Sequence, residues 1–386
     1  MRCLRSILLL ILCSRCIEPF SPAINPQSYD LLVVDGFIDS DGTASVKLSR
    51  TMHLDGAGRT PIETGAFVAI VSSSGETFDL IETDSSIYRA ANITVEVQST
   101  YSLRIRTRNG AEYRSNDVQI HKTPEIESID YNVSARGDEL EIRTTSKDDN
   151  PGATGFYLFE GYETYEYHAP FFSGYKFINK TPIQRTGEEQ VYVCWRESQT
   201  PTTIVNTNVL SVNTISAQRL VNISRSSQKI AIRYSILVRQ RSISEEEYAF
   251  RDQLLKSTEQ LGSLFSVIPG AVTGNVHSIT NPGEYVLGYF RGQELKQKRL
   301  FIDVQSLPLG FSAFPGFDCQ IDGTCRLDMP PSGPHICVEV SHLSDETIIT
   351  NVVNDARGNP VQYLFVTPEC GDCTAAGGTT VRPAFW

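Results

Sequence analysis

Between Tyr101 and Thr107 the chain alternates strictly: Tyr101, Leu103 and Ile105 are apolar, while Ser102, Arg104 and Arg106 are polar. Successive side chains of a strand point to opposite faces, so this segment offers one face to a core and one to water. Asn109-Gly110 follows at once, and Asn-Gly supplies the positive φ values of a tight hairpin turn. The same signature recurs upstream. Leu31 to Ile38 is apolar and β-branched, Val46 and Leu48 alternate with Lys47 and Ser49, and Phe67 to Val71 is a short apolar run. Turn residues at Asp41-Gly42, Asp55-Gly56 and Ser74-Gly75 separate these runs. Such spacing predicts a β-sandwich of about seven short antiparallel strands over residues 29–123, the size of an immunoglobulin-like or transthyretin-like module.

Thr123-Pro124 reads as a boundary, with a larger β-rich domain, again sandwich-type, over residues 124–386. A chain of 386 residues is too long for one core and suits two domains or three. Strands are expected from Ile126, around Leu140 and Ile142, and over Ile230 to Val238, where apolar residues alternate with Arg233 and Arg239 outward. Between them lies a stretch dense in rings, Phe156 to Tyr175, which spacing alone assigns neither wholly to a core nor to a contact surface. One helical insertion is predicted near 244–261. Ser244 and Glu247 form a capping box, acids at 245–247 suit the positive end of the helix dipole, Tyr248, Leu254 and Leu255 supply an apolar stripe, and Gly262 ends it. The last residues, Phe385 and Trp386, are costly to leave in water, so a docked C-terminal tail is expected.

The N-terminus is different in kind. Arg2 and Arg5 precede the unbroken apolar run Ile7 to Leu12, which is too short to span a bilayer and has the pattern of a signal peptide over residues 1–15. Cys13 and Cys16 follow where a bacterial lipoprotein signal places its acylated cysteine. Cys16 is the better lipidation site, because cleavage before Cys13 leaves no spacing after the apolar run; Arg15 departs from the small residue usual before such a cysteine. Secretion with cleavage near Ser14 is the alternative. Residues 16–28, with Pro19, Pro22 and Pro26, read as an extended tether.

Once Cys3, Cys13 and Cys16 are set aside, six of the nine cysteines remain: Cys194, Cys319, Cys325, Cys337, Cys370 and Cys373. In an exported chain an even number predicts structural disulfides, with a connectivity that the sequence leaves open. Cys370-Gly371-Asp372-Cys373 has the spacing of half a zinc site, but no second ligand pair follows.

No metal or cofactor is expected. The six histidines are scattered, and the chain lacks a His-Glu-x-x-His pair, a nucleophile elbow, a phosphate-binding loop and a dinucleotide fingerprint. Asp148-Asp149-Asn150-Pro151-Gly152 reads as a strand-end turn. Acids outnumber Lys plus Arg by 45 to 34, for a net charge of −11, which argues against nucleic-acid binding.

Several segments together resemble a known family. They are Cys16-Ile17-Glu18-Pro19-Phe20, Leu32 to Ile38, Lys47 to Thr51, Pro61 to Ile70, Asn281-Pro282-Gly283-Glu284 ahead of Leu287-Gly288-Tyr289-Phe290, and the ending from Cys370 through Gly377-Gly378-Thr379 to Arg382-Pro383-Ala384-Phe385-Trp386. The chain is similar over nearly its whole length to the domain of unknown function 4249 family, outer-membrane lipoproteins of Bacteroidetes-type bacteria often encoded beside TonB-dependent receptors. The resemblance implies lipidation at Cys16, a place on the periplasmic or cell-surface face of the outer membrane, and no catalytic residues. The expected role is that of a binding or accessory component working with a TonB-dependent receptor in nutrient uptake, and not an enzyme. A structural or adhesive envelope protein is the alternative, and a secreted hydrolase a third reading.

Overall fold

The computed structural model describes residues 30–52, 60–96, 98–147, 155–178, 181–207, 214–260, 272–311, 319, 323–326, 348–358 and 360–386. The expected signal peptide, Cys16 with its tether, the turn at Asp148 to Gly152, Gly262 and Cys337 lie outside these residues.

The first span supplies eight strands: β1 (Leu32–Asp39), β2 (Ala44–Arg50), β3 (Phe67–Ser72), β4 (Thr77–Asp84), β5 (Ile87–Ala90), β6 (Thr100–Arg106), β7 (Glu112–Ser115) and β8 (Val118–Gln119). Strand β4 turns the corner of a sandwich: Thr77 to Leu80 pair with β3 in one layer, and Ile81 to Asp84 pair with β5 in the other. The alternation holds for the apolar residues and the arginines, while Ser102, expected on the wet face, is buried. Tyr101, Leu103 and Ile105 are buried with Val34, Val46, Leu48, Val68 and Ile70 in one core, while Arg104 and Arg106 stand in water.

The second unit begins at β9 (Ile126–Val133), followed by β10 (Glu139–Lys147) and β11 (Phe156–His168). Next come β12 (Tyr175–Ile178), β13 (Thr181–Gln184), β14 (Val193–Gln199), β15 (Thr203–Asn206), β16 (Thr214–Ser224) and β17 (Arg233–Ser242). A three-stranded sheet, β16-β10-β9, packs against a sheet built on β11 and β17. The ring-dense stretch is mostly core: Tyr157, Phe159, Tyr165 and Tyr167 are buried there, and Phe172 is exposed. Ile230 falls in a short 3-10 turn ahead of β17 rather than in the strand. In the core Glu163 accepts from the Tyr234 and Ser198 hydroxyls, each at 2.9 Å, and pairs with Lys229; without such partners a buried carboxylate is prohibitive.

Helix α1 (Glu245–Gln260) follows. Ser244 Oγ accepts from the Glu247 amide at 3.0 Å, the first half of the expected capping box. The second half is absent, because the Glu247 carboxylate turns inward to Arg241. Only the first turns of α1 are packed. Phe250 is buried, whereas Leu254 and Leu255, expected in the apolar stripe, stay partly exposed where the helix runs past the body.

The chain then returns to the first unit. β18 (Val276–Ser278) pairs with β7, and β19 (Leu287–Gln293) runs parallel to β1, with Val33 opposite Leu287 and Gly36 opposite Phe290. The sandwich expected from residues 29–123 thus carries two further strands, one at each end of a ten-stranded sheet. Nor is Thr123 a solvated linker. Its amide and hydroxyl donate to Glu294 at 2.7 and 2.6 Å, and the hydroxyl accepts from the Ser242 amide at 2.9 Å. α1 also joins the units, Tyr248 packing on Phe156 and Phe250 on Tyr289.

β20 (Lys296–Asp303) pairs with β17 in the second unit. β21 (Gly323–Arg326), β22 (Ile348–Asn354) and β23 (Pro360–Val366) join β12 and β13 in a further sheet, beside the single-turn α2 (Pro368–Gly371). The tail beyond is docked as expected: Thr379 bridges to Trp195, Trp386 lies edge-on to Phe301 at 5.8 Å, and its ring nitrogen donates to Glu166 at 3.0 Å. No helix among the described residues is long and apolar enough to cross a membrane.

Candidate functional site

Where the first unit meets the start of α1 there is a recess of about 180 Å³. Its walls come from three sources: Asp117, Gln119 and His121 at the end of the first span, Ser244 and Glu246 at the start of α1, and Tyr289 and Arg291 on β19. The local reasons are simple. β-strand alternation turns Tyr289 and Arg291 to the same side, and the capping turn at Ser244 brings the acidic first turn of α1 against them.

The charges of this seam are tied down. Glu247 and Arg241, both about 3% exposed at the side chain, form an ion pair at 2.8 Å, and Arg251 adds a second guanidinium at 3.3 Å. Burial pushes the Glu247 carboxyl up, but Arg241, Arg251 and Arg291 outweigh it and hold it below the usual carboxylate range. Arg291 bonds Asp35 at 2.8 Å. Burial pushes His121 down, against a smaller upward pull from Glu247, so it is neutral at pH 7. Asn116 donates to Glu246 at 3.1 Å. The recess therefore presents fixed donors and acceptors of both signs, sized for a small polar group and not for a bulky ligand.

A second, larger recess of about 420 Å³ lies on the outer face of the first sandwich. Strands β3, β6 and β7 turn Phe67, Arg104, Arg106, Glu112 and Arg114 outward, and Ile279 closes one side. A third, of about 360 Å³, lies on the outer face of the β11–β17–β20 sheet. There Arg239 stacks on Tyr162 at 4.6 Å and Arg299 on Phe385 at 3.6 Å, so the docked tail forms part of its wall.

The predicted disulfide cysteines fall as follows. Cys194 is bonded to Cys373 and Cys319 to Cys370. The two cysteines of the Cys370 to Cys373 motif thus take separate partners and leave no thiolate pair for zinc. Cys325 sits on β21 opposite Tyr363, its side chain outside the described residues, as is the whole of Cys337. Cys16 lies outside them too. No group of three His, Cys, Asp or Glu residues among the described residues is placed to hold a metal.

Sequence reasoning did not find Arg241, Arg291 and His121 as a group. Arg241 lies beyond the alternating run that ends at Val238, and Glu247 reads as a cap. Only the return of β19 to β1 brings them together.

No curated protein matches the chain. Two solved structures are similar to parts of it: a cytokine receptor complex (10% identity, 56% of this chain and 86% of that one covered, TM-score 0.20) and a segment of two fibronectin type-III domains from chicken tenascin (12%, 55% and 89%, TM-score 0.14). The profile of a domain of unknown function (DUF4249) matches residues 17–299, which takes in both units and the strands that β18 and β19 return to the first; the chain belongs to that family.

Proposed function

We propose that the protein is a lipid-anchored binding component of the outer membrane that works with a TonB-dependent receptor in nutrient uptake and carries out no catalysis of its own. The basic start, the short apolar run and Cys16 support anchoring. The observation that carries the binding role is the polar recess at the seam. Its walls come from the end of the first span, from β19 and from the helix cap, so a small group seated there is read by side chains that segments far apart in the chain hold in place. The charges of Glu247 and Arg241, and of Arg291 and Asp35, are already neutralised pairwise, which suits recognition better than proton transfer.

The test is recovery of the tagged, full-length protein from native membranes in mild detergent, with partners identified by mass spectrometry. A TonB-dependent receptor in stoichiometric amount is the expected result. Recovery of the protein alone, together with unchanged growth of a deletion strain on every nutrient tried, removes the accessory role.

A further inference from the structure

The outer face of the first sandwich carries an arrangement that stability alone does not explain. Arg104 on β6 stands directly opposite Arg114 on β7, a like-charge cross-strand pair of the kind that destabilises a sheet. Arg106, two residues along on the same face, lies over the Phe67 ring at 5.7 Å. Among the described residues neither Arg104 nor Arg106 forms an ion pair, although Arg106 stands opposite Glu112, the one acid lining the recess; Arg114 meets Asp117 at 3.3 Å. Phe67 and Ile279 are 47% and 55% exposed, and Tyr285 just beyond is 59% exposed. Unpaired cations mixed with exposed apolar side chains are unusual on a chain of net charge −11.

The position of this face matters as much as its chemistry. The N-terminal segment joins the fold at Asp30, whose carbonyl accepts from Arg50 Nη1 at 3.0 Å, while the Leu31 amide donates to Thr51 at 3.0 Å. The Arg50 guanidinium lies beside the Tyr113 hydroxyl, and Tyr113 lines the arginine recess. The chain therefore enters the sandwich beside Tyr113, at the end that bears the arginine recess.

We infer that this face, with Arg104, Arg106 and Arg114 around Phe67 and Ile279, docks the body on the anionic headgroups of the membrane that holds the lipid. The inference rests on the lipid anchor proposed above. The 14 residues from Cys16 to Tyr29 reach at most about 50 Å when extended. They keep the face close to the bilayer, so that docking is an intramolecular step in which even weak attraction counts. The arginines meet phosphates and the exposed rings settle at headgroup level, where amphipathic and aromatic side chains are favoured. An extended peptide is the poorer occupant: β6 and β7 are each paired on both sides, so the strands that bear the arginines offer no free edge to extend.

The experiment uses the lipidated full chain with Phe67→Trp, reconstituted in phosphatidylcholine vesicles with and without phosphatidylglycerol, the lipids carrying brominated chains that quench a nearby indole. Quenching beyond that of the parent protein is expected in the phosphatidylglycerol vesicles, relieved by high salt. Adding Arg104→Gln and Arg106→Gln is expected to lower the docked-to-free ratio roughly thirtyfold. Both residues are exposed, so the melting temperature stays where it was, and the salt arm needs no arginine variant. Docking is overturned by equal quenching in neutral vesicles, by quenching that ignores the two arginine changes, or by an indole that answers soluble polygalacturonate and not lipid, which makes the face a glycan site. Failure of the purified protein to float with vesicles sinks the lipid anchor instead. In that case an N-terminal histidine tag on a nickel-chelating lipid holds the chain, and the quenching is read in the same way.

Discussion

Asn275 grips the backbone of Phe290 with both atoms of its amide: Nδ2 donates to the Phe290 carbonyl at 2.7 Å, and Oδ1 accepts from the Phe290 amide at 2.9 Å. A side chain here does the work of a neighbouring strand. It satisfies the groups that β19 would otherwise leave open on the side away from β1, and it links the two ends of the ten-stranded sheet. Asn275 is 1% exposed, so removal of its amide leaves two buried backbone groups without partners. Asn275→Ala is expected to cost about 2–4 kcal/mol. Urea unfolding followed by circular dichroism measures this, and a change below about 0.5 kcal/mol contradicts the closing role.

Gly288 makes the parallel contact of β19 with β1 feasible. Its φ is +93°, and a Cβ there comes within 1.9 Å of the Val34 carbonyl oxygen, a backbone atom that cannot step aside without breaking the register. Gly288→Ala is therefore expected to separate the strands and to cost more than about 3 kcal/mol. The local signature is loss of hydrogen-exchange protection along Val33 to Phe37, with the second unit less affected. A variant as stable as the parent, with those amides still protected, rules out the pairing.

These two positions show what was legible beforehand. Leu32 to Ile38 and Leu287 to Phe290 both belong to the segments that carry the family resemblance, and the fold sets them side by side in register. The strands, their faces and the turn at Asn109-Gly110 follow from patterns a few residues long. Pairing between residues such as Asp39 and Gln293, 254 positions apart, leaves no local trace, so the first sandwich appeared to end at Thr123. The seam was hidden for the same reason. Glu247 satisfies a local rule as a helix cap, Arg241 lies beyond the alternating run that ends at Val238, and their burial against each other is decided by tertiary packing. Arg104 and Arg106 were read correctly as a wet face, but nothing in the alternation told that Arg114 would stand opposite Arg104.

The bond between Cys194 and Cys373 closes a loop with a sequence separation of 179 and ties the tail to β14. Both sulfurs are buried, and Tyr167 donates to the Cys373 carbonyl at 2.6 Å beside them. In the chain-entropy account a loop of this length stabilises by about 5 kcal/mol. Replacement of both cysteines by Ala is expected to lower Tm and to release residues 374–386 to protease, detected by mass spectrometry of the trimmed chain. Reductant should release the same segment from the parent protein, while in both proteins it also opens the bond between Cys319 and Cys370. A tail that stays protected in the variant means that Trp386 on Phe301 and Arg233 holds it without the covalent bond.

The ion pair of Glu247 with Arg241 predicts how stability depends on acid. The folded Glu247 carboxyl is held below its ordinary range, because the three arginines outweigh the upward push of burial. A carboxyl whose folded pKa is depressed contributes stability that is complete above its unfolded value, about 4.3, and is lost as pH falls through the folded value. In the parent protein the unfolding free energy should therefore drop below about pH 4.3, in part because of this one group. Glu247→Gln removes that part of the pH dependence and leaves Arg241 buried without its counter-charge, at a cost of about 3–5 kcal/mol near neutral pH. The difference between parent and variant is thus expected to be large at pH 7 and to shrink as the parent is acidified. Denaturant melts at a series of pH values measure it. A difference that stays constant from neutral pH down through the acid limb means that Glu247 is not the charge that the seam depends on.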